Sequence, residues 1–261
     1  MQALDDLPLL IDAARRAGDI ARKFWRHDPK AWHKADDAGP VTEADMAVNN
    51  MLFADLMAAR PDYGWLSEET LDTDARLTKD RVFIIDPIDG TRSFIEGDHN
   101  WAHSLAIAEH GEIIAGVVYL PIRDRLFAAA KGQGASLNSM PLKCDHRKEI
   151  DGARVLTHKH NMDPKLWNGG CPDFVPKFRS SLAYRTALVG QGRFDAMISL
   201  RNTWEWDVAA GSLIAQEAGA KVIDHLGAPL SFNKPTPAFA GFIAANRELA
   251  TSIVQRLAIT S

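Results

Sequence analysis

Four short apolar runs between Arg81 and Leu137 restrict the fold more than any other part of the sequence. They read RVFII, HSLAIAE, IIAGVVYL and RLFAAA, and charged residues, glycine or proline separate them. Runs of this length between turn residues are typical of β-strands, and the EHGE connection is typical of a hairpin. The pattern predicts a largely antiparallel sheet with helices packed on it.

Helical periodicity precedes this sheet. Apolar side chains recur at helical spacing from Leu10 to Trp25, which predicts an amphipathic first helix. A second helix is expected from near Thr42 to Pro61. Thr42 and Asp45 have the spacing of a variant capping box, which marks the start of that helix.

Strand-like and helix-like segments alternate beyond about residue 150. The predicted strands are ARVLT, FDAMISL, KVIDH, PLSF and AGFIAAN, and the predicted helices are SLAYRTALVGQG, DVAAGSLIAQEAGA and the region of ELATSIVQRLA. This alternation predicts a layered α/β second half. We expect one compact unit with an N-terminal α+β lobe over 1–150 and a C-terminal α/β lobe over 151–261.

Composition narrows the class of protein. The 261 residues are 46% hydrophobic and 25% charged, which is enough for one large domain or two intimate lobes. A net charge of -4 gives no basic face, so nucleic-acid binding is not expected. Cys144 and Cys171 are too few for a disulfide framework. The N-terminal segment lacks the pattern of a signal peptide, and no apolar run is long enough for a membrane span, so we expect a cytoplasmic protein.

Two acids occur close together in the string IIDPIDGTRSF. Asp86 and Asp89 flank Pro87, and because proline has no N–H, the strand is expected to end at Asp86. Gly90 can bring backbone amides close to a ligand, and Thr91 adds a hydroxyl group. Two carboxylates beside exposed amides suit a magnesium ion that carries a phosphate. A tight turn would explain the same residues in isolation.

Other acids occur at three places along the chain. WLSEET contains Glu68 and Glu69, WEWDVAAG contains Asp207 at the start of a predicted helix, and Asp45 begins the second helix. Each has a simpler explanation when it is taken alone. An acidic pair is usually a solvated turn, Asp207 could be a helix N-cap, and Asp45 could be only a capping residue.

Taken together, these elements form an ordered pattern from Val41 to Gly219: T-x-x-D, E-E, D-P-I-D-G-T-x-x-F and W-D-x-A-A-G-x-x-I-x-x-E-A-G. The pattern closely resembles the inositol monophosphatase superfamily of magnesium-dependent, lithium-sensitive phosphatases. The resemblance implies an α/β (α+β) fold, the layered α-β-α-β-α sandwich of inositol monophosphatase and fructose-1,6-bisphosphatase. It also implies a homodimer that hydrolyses a small phosphorylated metabolite.

The resemblance further implies a role for each acid. Its metal ligands for two or three Mg²⁺ ions would be Glu68, Asp86, the carbonyl of Ile88, Asp89 and Asp207. Its catalytic residues would be Thr91, which orients the attacking water, Asp45 behind it, and Glu68. Glu69 would lie outside the metal ligands. The substrate phosphate would meet the amides of Gly90 and Thr91, with Asp89 and Asp207 beside it.

The substrate stays open at this point. Inositol-selective members usually carry an acid shortly before W-D, where this chain has Ser199, Leu200 and Arg201, with Glu205 as a possible substitute. LSEE, EWDVAAG and PLSFNK are similar to the 3'(2'),5'-bisphosphate nucleotidase branch, which acts on 3'-phosphoadenosine 5'-phosphate. DPIDGTRSF and GQGASLN are closer to the inositol branch, and a third branch acts on histidinol phosphate.

Several polar and aromatic side chains could contact the substrate. Arg201, Lys159 or Arg185 could bind a second phosphate, although ordinary surface charge explains any one of them. His158 and His160 lack nearby thiols and are interpreted as surface residues or substrate contacts, not as zinc ligands. At least one of the pair Trp204 and Trp206 is expected in the core, and the other is a candidate to stack on a base.

A protein that acts through contacts with other proteins is the second functional class considered. Some relatives in this superfamily also act through protein contacts in RNA metabolism. A protein that acts only through such contacts has no need of its carboxylates. Every acidic position that the resemblance calls for is filled here, as is Thr91, which favours an active catalyst.

Overall fold

The computed structural model describes residues 2–34 and 39–258. The helices are α1 Gln2–Phe24, α2 Glu43–Ala59, α3 Thr91–Ile95, α4 Leu182–Gly190, α5 Glu205–Glu217 and α6 Arg247–Arg256. The strands are β1 Ala31–His33, β2 Pro40–Thr42, β3 Gly64–Ser67, β4 Arg81–Asp89, β5 Ala102–Glu109, β6 Glu112–Leu120, β7 Arg125–Ala130, β8 Ala135–Leu137, β9 Met140–Pro141, β10 Arg154–Thr157, β11 Val175–Lys177, β12 Ala196–Ser199, β13 Thr203–Trp204, β14 Lys221–Asp224, β15 Ala238–Phe239 and β16 Phe242–Ala245. Among these residues no helix has the length and hydrophobicity that a membrane crossing requires.

A seven-stranded sheet in the order β3-β4-β5-β6-β7-β8-β9 forms the first half of the chain. Its pairs are antiparallel except β3 with β4, which are parallel. The predicted hairpin joins β5 to β6 through His110 and Gly111, both with positive φ (49° and 84°). Two such residues form the tight turn that matches strand twist, so the prediction from EHGE is confirmed.

A second sheet, in the order β11-β10-β12-β16-β14, forms the other half. Strand β10 runs parallel to β11 and β12, whereas β16 is antiparallel to both of its neighbours. Four of the five predicted strands are present in it. The prediction for PLSF is wrong, because Pro229 makes only an isolated bridge to Ile223 and proline cannot donate to a ladder.

The elements stack in five layers. Helices α1 and α2 cover the outer face of the first sheet, α4 and α5 lie between the two sheets, and α6 covers the outer face of the second. Strand β4 shows why both faces are covered. Val82 and Ile84 pack towards α4 and α5, and Phe83 and Ile85 pack towards α1 and α2. The predicted α-β-α-β-α sandwich is confirmed.

Close packing of α5 on the first sheet positions the acids that the sequence singled out. A Cβ at Gly116 in β6 would lie 3.1 Å from the backbone of Ala210, so glycine is what allows the helix to approach so closely. The Ser104 hydroxyl of β5 donates to the carbonyl of Trp206 at 2.9 Å. These contacts hold the first turn of α5, which contains Asp207, against the end of β4.

Candidate metal and active site

Strand β4 extends past the proline that was expected to end it. It runs to Asp89 and not only to Asp86, and its register against β5 shifts between those two residues. Because Pro87 has no N–H to donate, the irregular stretch is placed where the missing donor matters least. The bulge lets two acids three positions apart lie in the same pocket.

The turn after β4 depends on Gly90. Its φ is +97°, in the left-handed region that favours glycine. A Cβ there would also lie 3.3 Å from both the carbonyl oxygen of Asn100 and the amide nitrogen of Ser181. The chain therefore turns sharply into α3, where Thr91 is the first residue.

Three carboxylates converge at this point. Asp86, Asp89 and Asp207 each offer one oxygen, and these oxygens all lie within 4.8 Å of one another. Asp86 is 1% exposed and its Oδ1 has no hydrogen-bond partner within the described residues. Burial raises the pKa of Asp86 well above its ordinary value, and the charges of Glu68, Asp89 and Asp207 raise it further. Such a group of acids is unstable in its ionised form unless a cation neutralises it.

Asp89 is fixed by donors from the second half of the chain. Its Oδ2 accepts the Ser181 hydroxyl at 2.6 Å and the Ala183 amide at 2.7 Å. Burial raises the pKa of Asp89 to about 6, although these donors act in the opposite direction. One carboxylate oxygen is thus held in place by α4, and the other is free of these two donors.

Asp207 lies one turn further into its helix than the N-cap interpretation required. Helix α5 begins at Glu205 with Trp204 as the N-cap, and Asp207 is the third helical residue. Its Oδ2 accepts the Trp204 amide at 3.2 Å. Burial, then the charges of Asp89 and Glu68, raises the pKa of Asp207 well above its ordinary value.

Glu68 stands beside this group but is paired with a lysine. Lys34 lies 2.8 Å from Glu68 Oε1 and 2.6 Å from Glu69 Oε1. The three-acid group does not include Glu68, yet its charge contributes to the raised pKa of Asp86. Burial and the charge of Glu68 raise the pKa of Glu69 to about 7. Lys34 therefore supplies positive charge at the edge of an acidic site.

Thr91 and Asp45 lie together as the resemblance implies. The Thr91 hydroxyl lies 3.4 Å from Asp45 Oδ1 and 3.1 Å from the Ile88 carbonyl oxygen. Asp45 Oδ2 accepts both the amide and the hydroxyl of Thr42, so the predicted capping box is confirmed. Burial raises the pKa of Asp45 to about 6, against the effect of the Thr42 donors.

Glu205 differs from its predicted role. Its side chain is fully buried, and its two oxygens accept the backbone amides of Asn233 and Lys234 at 2.7 and 3.1 Å. In this position Glu205 holds the loop that follows β14 and presents no surface to a substrate. The prediction of a substrate contact at Glu205 is therefore replaced by a structural role.

The predicted cations separate into buried and exposed groups. Arg185 is buried in α4, whereas Arg201 and Lys159 are exposed. His158 and His160 lie side by side, with their Nδ1 atoms 3.1 Å apart. Trp204 and Trp206 are stacked at 4.9 Å with an interplanar angle of 10°, and Trp204 is about half exposed.

A cleft of about 480 Å³ lies next to Glu68 and Glu69, and Asp86, Asp89 and Asp207 are not among the residues that line it. Its walls include Glu68, Glu69, Trp204, Trp206 and Pro237. A small molecule in this cleft would contact the apolar surface of the two tryptophans and the carboxylates of Glu68 and Glu69. The size suits a small metabolite.

Sequence reasoning missed three side chains that support the site. Lys34 pairs with Glu68, Ser181 anchors Asp89, and His103 bonds to the carbonyl of Pro87 through Nδ1. A carbonyl can only accept, so His103 carries its proton on Nδ1, and burial lowers its pKa to about 4. For His103 the sequence held a signal, a polar residue at the start of the apolar run HSLAIAE, whereas Lys34 and Ser181 stand among other polar residues and gave none.

The donor set fits a hard divalent cation. Carboxylate oxygens are the ligands that Mg²⁺ prefers, and the unpartnered Oδ1 of Asp86 leaves a ligand available at the centre of the group. The acids Asp86, Asp89 and Asp207 could hold such an ion directly. Glu68 and the Ile88 carbonyl lie nearby and could complete its coordination.

Comparison with known proteins identifies similar chains along almost the whole length. A model described as the inositol monophosphatase family matches residues 5–259. Inositol monophosphatase 1 of Solanum lycopersicum is 31% identical over 265 residues, which cover 97% of this chain and 95% of that protein. Nus factor SuhB of Haemophilus influenzae is 34% identical over 227 residues and 84% of each chain.

A solved structure has a similar fold. The extragenic suppressor protein suhB from Bartonella henselae superimposes with a TM-score of 0.82 and 27% sequence identity, over 96% of this chain and 97% of that chain. The five-layer arrangement is therefore shared by an experimentally determined relative.

Proposed function

Because this chain belongs to the inositol monophosphatase family and is a phosphatase of that family, we propose that it hydrolyses a small phosphate monoester with magnesium as its cofactor. The family is metal-dependent. The observation that carries the choice of cation is the group formed by Asp86, Asp89 and Asp207, with one buried oxygen left without a partner. Hard oxygen donors of this kind favour magnesium.

The acids of the site would hold positively charged metal ions. When bound, magnesium supplies positive charge that offsets the phosphate dianion and makes a nearby water more acidic. Asp86, Asp89 and Asp207 would hold the ions, with Glu68 and the Ile88 carbonyl completing two or three sites. Lys34 contacts only Oε1 of Glu68, so the other carboxylate oxygen would be available to an ion while Lys34 keeps its contacts with Glu68 and Glu69.

Thr91 and Asp45 would orient the attacking water. The Thr91 hydroxyl proton is directed to an acceptor, either Asp45 Oδ1 or the Ile88 carbonyl. Its oxygen lone pairs are then free to accept a hydrogen bond from water and fix the direction of attack. The amides of Gly90 and Thr91 would receive the phosphate, with Asp89 and Asp207 beside it.

Phosphate release would test this function. Inositol 1-phosphate, adenosine 3',5'-bisphosphate and histidinol phosphate would be assayed with magnesium and with a chelator. We expect release that depends on magnesium from at least one of them, with an inositol monophosphate-type substrate as the first choice. No release from any substrate at any magnesium concentration would count against the proposal.

A second role is supported by the likeness to proteins named Nus factor SuhB. A chain of this family could also act through protein contacts in RNA metabolism. The two roles separate experimentally, because a contact role would survive neutralisation of Asp86 and hydrolysis would not. Binding to transcription components by the Asp86→Asn variant would support it.

The resemblance also supports a homodimer, a cytoplasmic location and inhibition by lithium. Sedimentation of the purified chain would test the dimer, and a lithium titration of phosphate release would test the inhibition. A monomer at micromolar concentration, or activity unaffected by lithium, would remove the corresponding part of the proposal.

A further inference from the structure

The irregular stretch of β4 decides which face of the first sheet Asp89 occupies. Ile84 packs on the inner face, with α4 and α5, and Ile85 packs on the outer face, with α1 and α2. Strict alternation would continue with Asp86 on the inner face and Asp89 on the outer face. Ile88 nevertheless packs in the outer core together with Ile85, so the alternation slips by one residue between them. The slip turns Asp89 to the same face as Asp86, and this allows both acids to join the group of three.

A single residue of β5 lies opposite this slip. The register between β4 and β5 is regular up to Asp86 and resumes at Asp89. Between these two positions, Pro87 and Ile88 lie opposite His103 alone, which is the arrangement of a β-bulge. The imidazole of His103 donates from Nδ1 to the Pro87 carbonyl at 2.5 Å. The side chain of His103 therefore bonds to the peptide unit in the middle of the bulge.

Packing alone does not explain a histidine at this position. His103 is fully buried, and its Nε2 has no hydrogen-bond partner among the described residues. The rings of Trp101 and Tyr119 pack against the imidazole, with centroid distances of 5.5 and 6.4 Å. An apolar side chain of similar size would fill the same space without leaving a buried nitrogen unpaired. The bond to Pro87 is therefore what a histidine adds here.

We propose that His103 is a positioning residue for the metal site, because its bond to Pro87 holds the bulge in the shape that turns both aspartates of β4 to one face. The inference rests on the proposed metal-dependent function and adds a residue to it. Trp101 and Leu105 of the same strand pack in the outer core, so His103 acts from the outer face of the sheet and through the backbone. Groups that orient metal ligands in this way change metal affinity without contacting the ion.

Two substitutions separate the hydrogen bond from the packing. His103→Leu fills a similar space without a donor, and His103→Asn keeps an amide donor near the position of Nδ1. Mn²⁺ suits the same oxygen ligands as magnesium and would be titrated into the metal-free protein by calorimetry. We expect His103→Leu to weaken Mn²⁺ binding about tenfold, the lower end of the range for groups that orient metal ligands, and His103→Asn to restore most of the affinity.

Nitrogen NMR of the imidazole gives a readout that needs neither metal nor substrate. In the metal-free protein at neutral pH we expect the proton of His103 on Nδ1 and none on Nε2, because the Pro87 carbonyl can only accept a hydrogen bond. A proton on Nε2 alone would leave Nδ1 without a hydrogen to donate. That result would overturn the proposal whatever the metal affinities are.

The matched control is Asn246→Ala. Asn246 is also buried and donates to a backbone carbonyl, that of Arg147 at 2.6 Å, but it is the N-cap of α6 on the outer face of the second sheet. Its replacement should lower the melting temperature and leave the Mn²⁺ affinity unchanged. If His103→Leu likewise loses only stability, the role of His103 is structural and the proposal is overturned.

The failures of the two proposals can be told apart. Equal weakening of Mn²⁺ binding in His103→Leu and His103→Asn would show that the donor is not what matters, and would overturn the positioning role alone. If His103→Leu does not fold, His103→Gln replaces it, because its amide lies one methylene further from the backbone. His103→Gln should then bind Mn²⁺ more weakly than His103→Asn, and equal binding would overturn the role. No binding of Mn²⁺ or magnesium by the wild type would overturn the metal-dependent function and the positioning role together.

Discussion

Two regions of the molecule bury carboxylates equally deeply but give them different hydrogen-bond and ion-pair partners. Asp6 in α1 accepts Arg60 Nε on Oδ1 at 2.9 Å, and its Oδ2 accepts the Tyr63 hydroxyl at 2.9 Å and Arg81 Nη1 at 3.1 Å. Asp86 is just as buried but keeps one oxygen without any partner among the described residues. Both oxygens of Asp6 therefore have partners within the fold, whereas one oxygen of Asp86 has none among the described residues.

The comparison shows that this fold can pair a buried acid when the acid serves stability. Two arginines and a tyrosine reach Asp6 from distant parts of the chain. No such set reaches Asp86 within the described residues, where the nearest charges are other acids. The missing cation at Asp86 is therefore interpreted as one that comes from solution, which is the role of a metal ion.

The largest effect is expected from Asp86→Asn. Magnesium-dependent phosphate release should fall about a thousandfold or more, roughly 4 kcal/mol of transition-state stabilisation, because a ligand of the proposed ions is lost. The fold should persist, since a charge that repels its neighbours is removed. Kinetics and thermal melts would measure both. Substantial turnover in this variant would contradict the assignment.

The matched change at the paired acid is Asp6→Asn. It should lower the free energy of unfolding by about 3 kcal/mol, because Arg60 and Arg81 lose their shared carboxylate. Turnover per folded molecule should change little. Urea denaturation and active-site titration would separate these effects. A loss of turnover without a loss of stability would mean that Asp6 is not a purely structural acid.

The third expected effect is a pH dependence of stability in the metal-free protein. Folding raises the pKa of Asp45 to about 6 and of Glu69 and Glu205 to about 7. The stability linked to these groups is fully present below their unfolded values near 4 and is lost as pH rises through 6 to 7. His103 acts in the opposite direction, since its lowered pKa removes stability as pH falls from about 6.5 to 4.

Asp86, Asp89 and Asp207, whose pKa values are also raised, act in the same direction as these three acids, so the acids outweigh His103 and give a net stabilisation towards mildly acidic pH. We expect unfolding in chelator to require about 3 kcal/mol more free energy near pH 5.5 than near pH 8, from about 1.4 kcal/mol per pH unit for each unmatched proton. Magnesium should reduce the difference, because it stabilises the ionised acids. A metal-free protein that is most stable near pH 8 would contradict this sign.

The smallest effect is expected at the capping box. Thr42→Ala should lower the free energy of unfolding by about 1 kcal/mol, the usual value for an N-cap, and should also loosen Asp45. Thr42→Ser keeps the hydroxyl and serves as the control. Calorimetry of the two variants would measure the difference. Equal melting temperatures for both variants and the wild type would show that the box contributes nothing to stability.

Local signals allowed much of the fold to be predicted. The capping box at Thr42 and the turn at His110 and Gly111 involve neighbours in sequence, so their geometry follows from residue type. The extension of β4 past Pro87 was not predictable in this way. It depends on pairing with β5, and long-range pairing overrides a local preference.

The candidate site shows the same difference between local signals and long-range contacts. Motif order identified Asp86, Asp89 and Asp207, which the structure brings together. Their partners could not be found, because Lys34 and Ser181 meet them only through tertiary packing. Glu205 misled the prediction for the same reason, since an acid near a motif can as readily hold a loop as meet a substrate.

The unpartnered oxygen of Asp86 has a consequence for protein engineering. A laboratory selection for heat resistance carried out in chelator would reward neutral residues at the three converging aspartates, since each replacement removes repulsion from the empty pocket. The same selection with magnesium present would retain them. Thermostability and catalytic power will therefore diverge at these positions unless the screening buffer contains the ion.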